Sequence, residues 1–328
     1  MFGKIIGTGS YIPDKTITND DIAQVVETDD TWIRERTGIS ERHILTDETT
    51  ADMAVHAAER ALASSGLKAE EIDLIIVSTV SSNLMFPSTA CFVQEKLGAV
   101  NSTCFDVNSA CTGFIVAYNT AQAYINSGLI KTALLVGAEG LSKLIDWSDR
   151  GSCILFGDGA GAVVIKADSD AKFATVMHAD GVGGKSLHMS NMFADRKVDL
   201  DNPCKSTVED SKKYYINMDG GAVFKFAISQ VPKCINELLE KMNMDKEEID
   251  RFVLHQANER IIRSIIKRLR IDGKKVAMNI DRYGNTSSAC IPILLDEMYR
   301  DGQLERGEKV IMSGFGAGLT WAATYMEF

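Results

Sequence analysis

Five short apolar runs punctuate the chain: IDLIIVSTV (72–80), TALLVGAE (132–139), GAVVIKAD (161–168), IDRFVLHQ (249–256) and EKVIMSGF (308–315). Each holds consecutive apolar residues without polar alternation, which predicts strands covered on both faces. ETTADMAVHAAERALASSG (48–66) and NELLEKMNM (236–244) instead space their apolar residues as a helix does. Strands alternating with amphipathic helices give an α/β or α+β class with largely covered sheets. The stretch 185–217 fits neither pattern. It is polar and contains Pro203, and it reads as a long loop, with a short helix at most, inserted between two patterned regions.

The pattern repeats. EEIDLIIVS (70–78) returns as EEIDRFVLH (247–255), 177 residues later. FDVNSACTG (105–113) has a looser counterpart in IDRYGNTSS (280–288), offset by 175, and NSGLIKTALLVGA (126–138) is echoed by RDGQLERGEKVIMSG (300–314), offset by 174 to 176. Three echoes in one order predict a duplicated architecture, with halves at 1–170 and 171–328. Sites in α/β sheets form at the carboxyl ends of strands. The polar residues there are Cys111 in the first half and His255 and Asn285 in the second.

Composition narrows the possibilities. A chain of 328 residues with 45% apolar and 24% charged residues buries a sizeable core. No apolar run approaches the roughly 20 residues that span a bilayer, and the start, MFGKIIGTGSYIP, lacks the features of a signal peptide. Membrane association is therefore not expected. Seven scattered cysteines without a CxxC pair argue against structural zinc and for reduced thiols in the cytoplasm. A net charge of −10 argues against nucleic-acid binding.

The chemistry gathers around a few residues. Cys111 lies in SACTG, where small neighbours permit a sharp turn, and GFIVAYNTAQAYINSG follows with a helical pattern. A thiol at a helix N-terminus is expected to gain thiolate character, although this stretch alone favours a buried structural cysteine. His255 follows the apolar run FVL within HQAN (255–258), at a strand end. Asn285 lies in RYGNTSSACIP (282–292), good turn chemistry and also a neutral hydrogen-bond donor. The Gly-rich SGFGAGLTW (313–321) offers backbone amides for an oxyanion and lacks the Lys-Ser/Thr ending of a phosphate loop. IIGTGSYIP (5–13) and FGDGAGAVVI (156–165) read as tight packing rather than dinucleotide sites.

Together, NSACTGF, HQAN, YGNTS and GFGAG resemble the beta-ketoacyl-acyl-carrier-protein synthase III family, as do TDDTWIRERTGISERH (28–43), FPSTAC (86–91), DRGSCILFGDGAGA (149–162) and GLTWAA. The resemblance runs over nearly the whole chain. It implies a duplicated thiolase-like fold, layered αβαβα with two pseudo-repeated halves. It makes Cys111 the nucleophile that takes an acyl group from acyl-coenzyme A. His255 and Asn285 then hold the thioester carbonyl of malonyl-acyl-carrier protein through decarboxylation, and the amides of Cys111 and Ala317 form the oxyanion hole. Ala317 stands where many members have glycine, and Ser288 and Cys290 differ from the commoner alanine and serine. The insertion near 185–217 is longer than usual and is placed to cover the coenzyme entrance or extend the dimer surface. No metal or cofactor is implied, acyl-coenzyme A being a substrate.

The resemblance further implies that Trp32 and Arg150 sandwich the adenine, with Thr28, Arg36, Phe224 and Asn258 along the coenzyme channel. Phe86 would reach the acyl pocket of a partner subunit in a homodimer. Residues 259–275 carry seven Lys/Arg and two acids. Arg260, Arg263, Lys267, Arg270 and Lys274 follow a 3-4-3-4 spacing that predicts one helical face, backed by Ile261, Ile262, Ile265, Ile266 and Leu269. Such a stripe on an acidic protein suits an acidic carrier protein. Competing readings are a condensing enzyme of secondary metabolism with another starter, a Cys-His thioester hydrolase, and a noncatalytic carrier-protein-binding relative.

Overall fold

A computed structural model describes residues 1–191 and 214–328 of the chain. One sheet has the spatial order Phe2–Tyr11, Gly159–Asp168, Thr132–Glu139, Leu74–Ser78, Thr103–Val107. Its first three strands are antiparallel neighbours and its last three are parallel. The second sheet runs Phe173–Ala179, Thr320–Glu327, Lys309–Gly316, Arg251–Leu254, with the same change from antiparallel to parallel pairing. It repeats the first sheet without the outer parallel strand.

The strand residues sort themselves between two faces. Leu74 and Ile76 join an inner cluster with Phe114, Ile115 and Tyr118, which also takes in Val253, Met312 and Ala322 from the second sheet. Ile75 and Val77 point the other way, onto Met53, Ala54, Ala57 and Ala61 of the helix Thr50–Ser65. On the far side, Phe252 and Ile311 meet Ala227, Val231 and Ile235 of Gly220–Met242 and Ile262 and Ile265 of Glu259–Leu269. Strands with apolar residues on both faces thus build five layers, αβαβα. The helices Gly113–Asn126 and Cys290–Arg300 form the shared middle layer.

Equivalent positions lie at a single offset. Leu74 corresponds to Arg251, Ala110 to Ser287, Gly113 to Cys290 and Thr132 to Lys309, each 177 residues apart. The offsets of 174 to 176 drawn from sequence shift to this value. At this offset 105–113 matches 282–290, two residues beyond the 280–288 read from sequence, and the short helix Ile280–Tyr283 stands where the first half has the strand Thr103–Val107.

Two other readings change. The apolar spacing of 236–244 is only the end of a 23-residue helix, Gly220–Met242, which contains Pro232. The flanks of the 185–217 insertion pair as a short antiparallel ribbon, Leu187–His188 with Asn217–Met218, and residues 192–213 of that segment lie outside the described residues. The Gly-rich start is a packing device: a Cβ on Gly9 would collide with the backbone nitrogen of Ala61. No described helix is long and apolar enough to cross a membrane.

Candidate active site

The strand Thr103–Val107 ends at the turn Ala110–Thr112, which runs straight into the helix Gly113–Asn126. Ala110 adopts φ 44°, uncommon for a residue with a Cβ, and this aims Cys111 into a cavity of about 840 Å³. Gly316 closes on the same turn. A Cβ there would lie 2.8 Å from the Cys111 nitrogen and 3.1 Å from its Cβ, so only glycine fits. Burial pushes the Cys111 thiol up to about 12, opposed by a hydrogen bond from Ser287 and reinforced by the charge of Glu139. Desolvation therefore outweighs the helix terminus that the sequence suggested would favour thiolate.

His255 and Asn285 line the same cavity from the second half. His255 follows the strand Arg251–Leu254, and its backbone N–H donates to the Ser313 carbonyl at 2.9 Å. Its Nδ1 lies 2.8 Å from Cys290 Sγ, and that sulfur also accepts from the Gln256 N–H at 3.4 Å. Burial drops the imidazole to about 3, so it is neutral. With Gln256 donating to the sulfur, the Cys290 S–H is free to donate to Nδ1, which leaves the proton of the ring on Nε2. Asn285 Oδ1 accepts from the Ser287 N–H at 2.9 Å, which leaves its NH2 as the donor. Backbone bonds from Asn285 N to Leu155 O and from Gly157 N to Asn285 O hold it in place.

Behind Cys111 lies a group the motifs did not single out. Glu139 ends the buried strand Thr132–Glu139 and is itself fully buried. It accepts from Ser288 Oγ at 2.8 Å, Ser81 Oγ at 2.8 Å and Val80 N at 3.1 Å. Burial raises its carboxyl to about 7, against the lowering effect of these hydrogen bonds. The signal was present in TALLVGAE, where a carboxylate closes the apolar run ALLVGA.

Comparison with known proteins places this geometry. The family model of 3-oxoacyl-[acyl-carrier-protein (ACP)] synthase III matches residues 105–181, and that of its C-terminal part matches 239–328. A beta-ketoacyl-[acyl-carrier-protein] synthase III of Clostridium acetobutylicum is 47% identical, covering 99% of this chain and 98% of the relative. The chain belongs to the beta-ketoacyl-acyl-carrier-protein synthase III family. The crystal structure of 3-oxoacyl-[acyl-carrier-protein] synthase III from Aquifex aeolicus superposes with a TM-score of 0.91 at 43% identity, over 99% of this chain and 100% of that one. The priming beta-ketosynthase of the R1128 polyketide pathway superposes at 0.92 with 35% identity, over 100% and 96%.

The outer parts of this synthase III chain are arranged as follows. Arg36, Phe224 and Asn258 line the cavity mouth. The Arg36 and Arg150 guanidinium carbons lie 5.4 and 4.7 Å from the Trp32 ring centre. Arg150 thus rests directly on Trp32, leaving no gap for a base between them. Thr28 has a buried hydroxyl without a hydrogen-bond partner. Leu187, His188 and Met189, and Tyr214, Ile216 and Met218, bring both flanks of the insertion to the cavity. Arg260, Arg263, Lys267, Arg270 and Lys274 are all exposed, but the helix stops at Leu269. Arg270 is its left-handed cap and Lys274 sits in the next turn, so the stripe bends instead of following one helical face. Arg263 pairs with Glu259, and Arg260 lies 5.6 Å over Phe224. Phe86 is 83% exposed, beside exposed Leu84 and Met85. Ala317 lines the cavity next to Gly316.

Proposed function

We propose that this synthase III loads an acyl group from acyl-coenzyme A onto Cys111 and condenses it with malonyl-acyl-carrier protein, giving 3-ketoacyl-acyl-carrier protein and CO2. The observation that carries this reading is one cavity lined by a thiol, a neutral imidazole and a carboxamide. A thiol forms an exchangeable thioester. Decarboxylation of the malonyl group leaves an enolate, and two neutral donors, His255 Nε2–H and the Asn285 NH2, suit its oxygen without a metal or other cofactor. The enolate carbon then attacks the acyl-Cys111 carbonyl, whose oxyanion the Cys111 and Ala317 amides receive.

Coenzyme A would enter past Arg36, Phe224 and Asn258, with the orphaned Thr28 hydroxyl taking a hydrogen bond. Arg150 must swing off Trp32 for adenine to stack there; it is exposed, and among the described residues its side chain is held by the Trp32 ring and by one hydrogen bond, to the Glu27 carbonyl at 3.0 Å. The exposed basic residues 260–274 would receive the acidic carrier protein. A homodimer is supported by the unpaired outer edge of Thr103–Val107 and the apolar tip at Leu84–Phe86. Scattered thiols without disulfides among the described cysteines suit a cytoplasmic enzyme. Full-length relatives 44 to 48% identical and named beta-ketoacyl-[acyl-carrier-protein] synthase III support the starting step of fatty-acid synthesis.

Intact mass after mixing with acetyl-coenzyme A tests this. One acetyl adduct is expected, absent in Cys111→Ala and discharged by malonyl-acyl-carrier protein as acetoacetyl product. Release of free acetate without a malonyl requirement would instead identify a hydrolase, and no adduct from acetyl, branched or longer donors would end the reading.

A further inference from the structure

Two amides that are to receive one oxygen belong to different halves of the chain. The Cys111 N–H lies in the turn Ala110–Thr112, and the Ala317 N–H in the hairpin turn between Lys309–Gly316 and Thr320–Glu327. Close packing brings the turns together, since a Cβ on Gly316 would stand 2.8 Å from the Cys111 nitrogen. Such an approach sets how near the turns lie, but not where either amide points.

A pair of hydroxyls couples them. Thr112, the residue after the nucleophile, is buried, and its Oγ1 lies 2.8 Å from Thr320 Oγ1, 208 residues away in the chain. Thr112 Oγ1 is also 2.7 Å from the Ser109 carbonyl, and Thr320 Oγ1 is 3.1 Å from the Ala317 carbonyl. The two protons serve this line in either direction, from Thr112 through Thr320 to the Ala317 carbonyl, or from Thr320 through Thr112 to the Ser109 carbonyl. Both directions keep the bond between the threonines. Among the described residues it is the one hydrogen bond that joins the two turns. The far end of the hairpin turn is fixed separately: the Leu319 N–H donates to the Asp180 carbonyl at 2.8 Å, and the Asp180 N–H to the Leu319 carbonyl at 2.7 Å. Neither threonine lines the cavity, so the pair stands behind the amides rather than beside the substrate.

We propose that Thr112 and Thr320 are positioning residues for acyl transfer: the bond between their hydroxyls aligns the Cys111 and Ala317 amides on one oxygen. The inference rests on the function proposed above and names what orients its oxyanion hole. That oxygen carries full charge only in the tetrahedral species formed when a sulfur adds to a thioester carbonyl. Misaligned amides therefore cost rate and leave substrate binding as it was.

The test compares the wild type with Thr112→Val, Thr320→Val and Thr320→Ser. Acetyl loading from acetyl-coenzyme A, followed by intact mass, should slow by about tenfold in each valine variant with KM unchanged, and Thr320→Ser should restore it. Alkylation of Cys111 by iodoacetamide is a displacement at saturated carbon that makes no oxyanion, so it should keep its wild-type rate throughout. Decarboxylation of malonyl-acyl-carrier protein by Cys111→Ala should likewise stay unmoved when Thr320→Val is added, because its enolate rests on His255 and Asn285. The double valine variant should load no more slowly than either single one, since the same bond is lost in all three. Loading at the wild-type rate in the valine variants would overturn the inference. An equal fall in loading, alkylation and decarboxylation would overturn it too, because a loosened fold gives that result. Thr112→Ala and Thr320→Ala, which only shorten a side chain, stand in for a valine variant that does not fold. A wild type that is alkylated but accepts no acyl donor would end the enzyme function and the inference with it, whereas a wild type that loads beside equally fast variants would end the inference alone.

Discussion

Cys290 shows how much a single side chain can fix. Its sulfur stands between the Gln256 N–H and His255 Nδ1, and it thereby decides which ring nitrogen carries the proton. Cys290→Ser keeps a donor at that point and should retain the Nε2–H tautomer, whereas Cys290→Ala should release it. Imidazole nitrogen shifts by NMR would report the tautomer, and malonyl decarboxylation should fall by roughly tenfold in the alanine variant only. The pH behaviour follows from the same burial. The folded-state value of His255 lies well below its ordinary 6.5, at about 3, so the ring stays neutral as pH falls through 6.5. Decarboxylation by Cys111→Ala, which isolates that step, is therefore expected to show no inflection from His255 between pH 5 and 8. An inflection near 6.5 would mean that the ring titrates as if it were in water.

At the scale of elements, the helix Glu259–Leu269 divides cleanly into buried Ile261, Ile262, Ile265 and Leu269 and exposed Arg260, Arg263 and Lys267. Because Glu259 already pairs with Arg263, Lys267 is the better probe of docking. Lys267→Glu should raise KM for malonyl-acyl-carrier protein severalfold and weaken its salt dependence, with loading from acetyl-coenzyme A unchanged. Equal effects on both half-reactions would point away from carrier docking. Elements also show what a sequence discloses. Thr132–Glu139 was plain because it is buried throughout and carries no polar side chain from Ala133 to Ala138. Most of Gly220–Met242 was hidden, since Gly220, Gly221 and Pro232 look like breakers and only tertiary packing of its apolar side overrides them. Cys111, His255 and Asn285 stood at turns that motif chemistry marks. Glu139 escaped notice because the hydroxyls that hold it, those of Ser81 and Ser288, lie 58 and 149 residues away in the chain. The early stop at Leu269 was equally unreadable: Arg270 adopts a left-handed cap that a spacing pattern does not reveal.

At the scale of the whole molecule, Thr103–Val107 is one of the outer strands: among the described residues it has a neighbour on one side only, and the Leu84–Phe86 tip exposes a run of large apolar side chains. Pairing of two such edges would bury both. Replacing Leu84 and Phe86 with aspartate should shift the protein from dimer to monomer in analytical ultracentrifugation and lower acyl loading with it. A double variant that stays dimeric would place the interface elsewhere. The five layers carry a further consequence. The turns at Ala110–Thr112 and Ser287–Ala289 are the same element seen twice, and they meet across the shared middle layer, with Ser288 occupying the second copy's place for Cys111. A half-length chain paired with itself would set two identical thiols face to face, each forced to be whatever the other was. Joining the copies end to end removed that obligation: one turn could keep the sulfur while its twin became free to serve it.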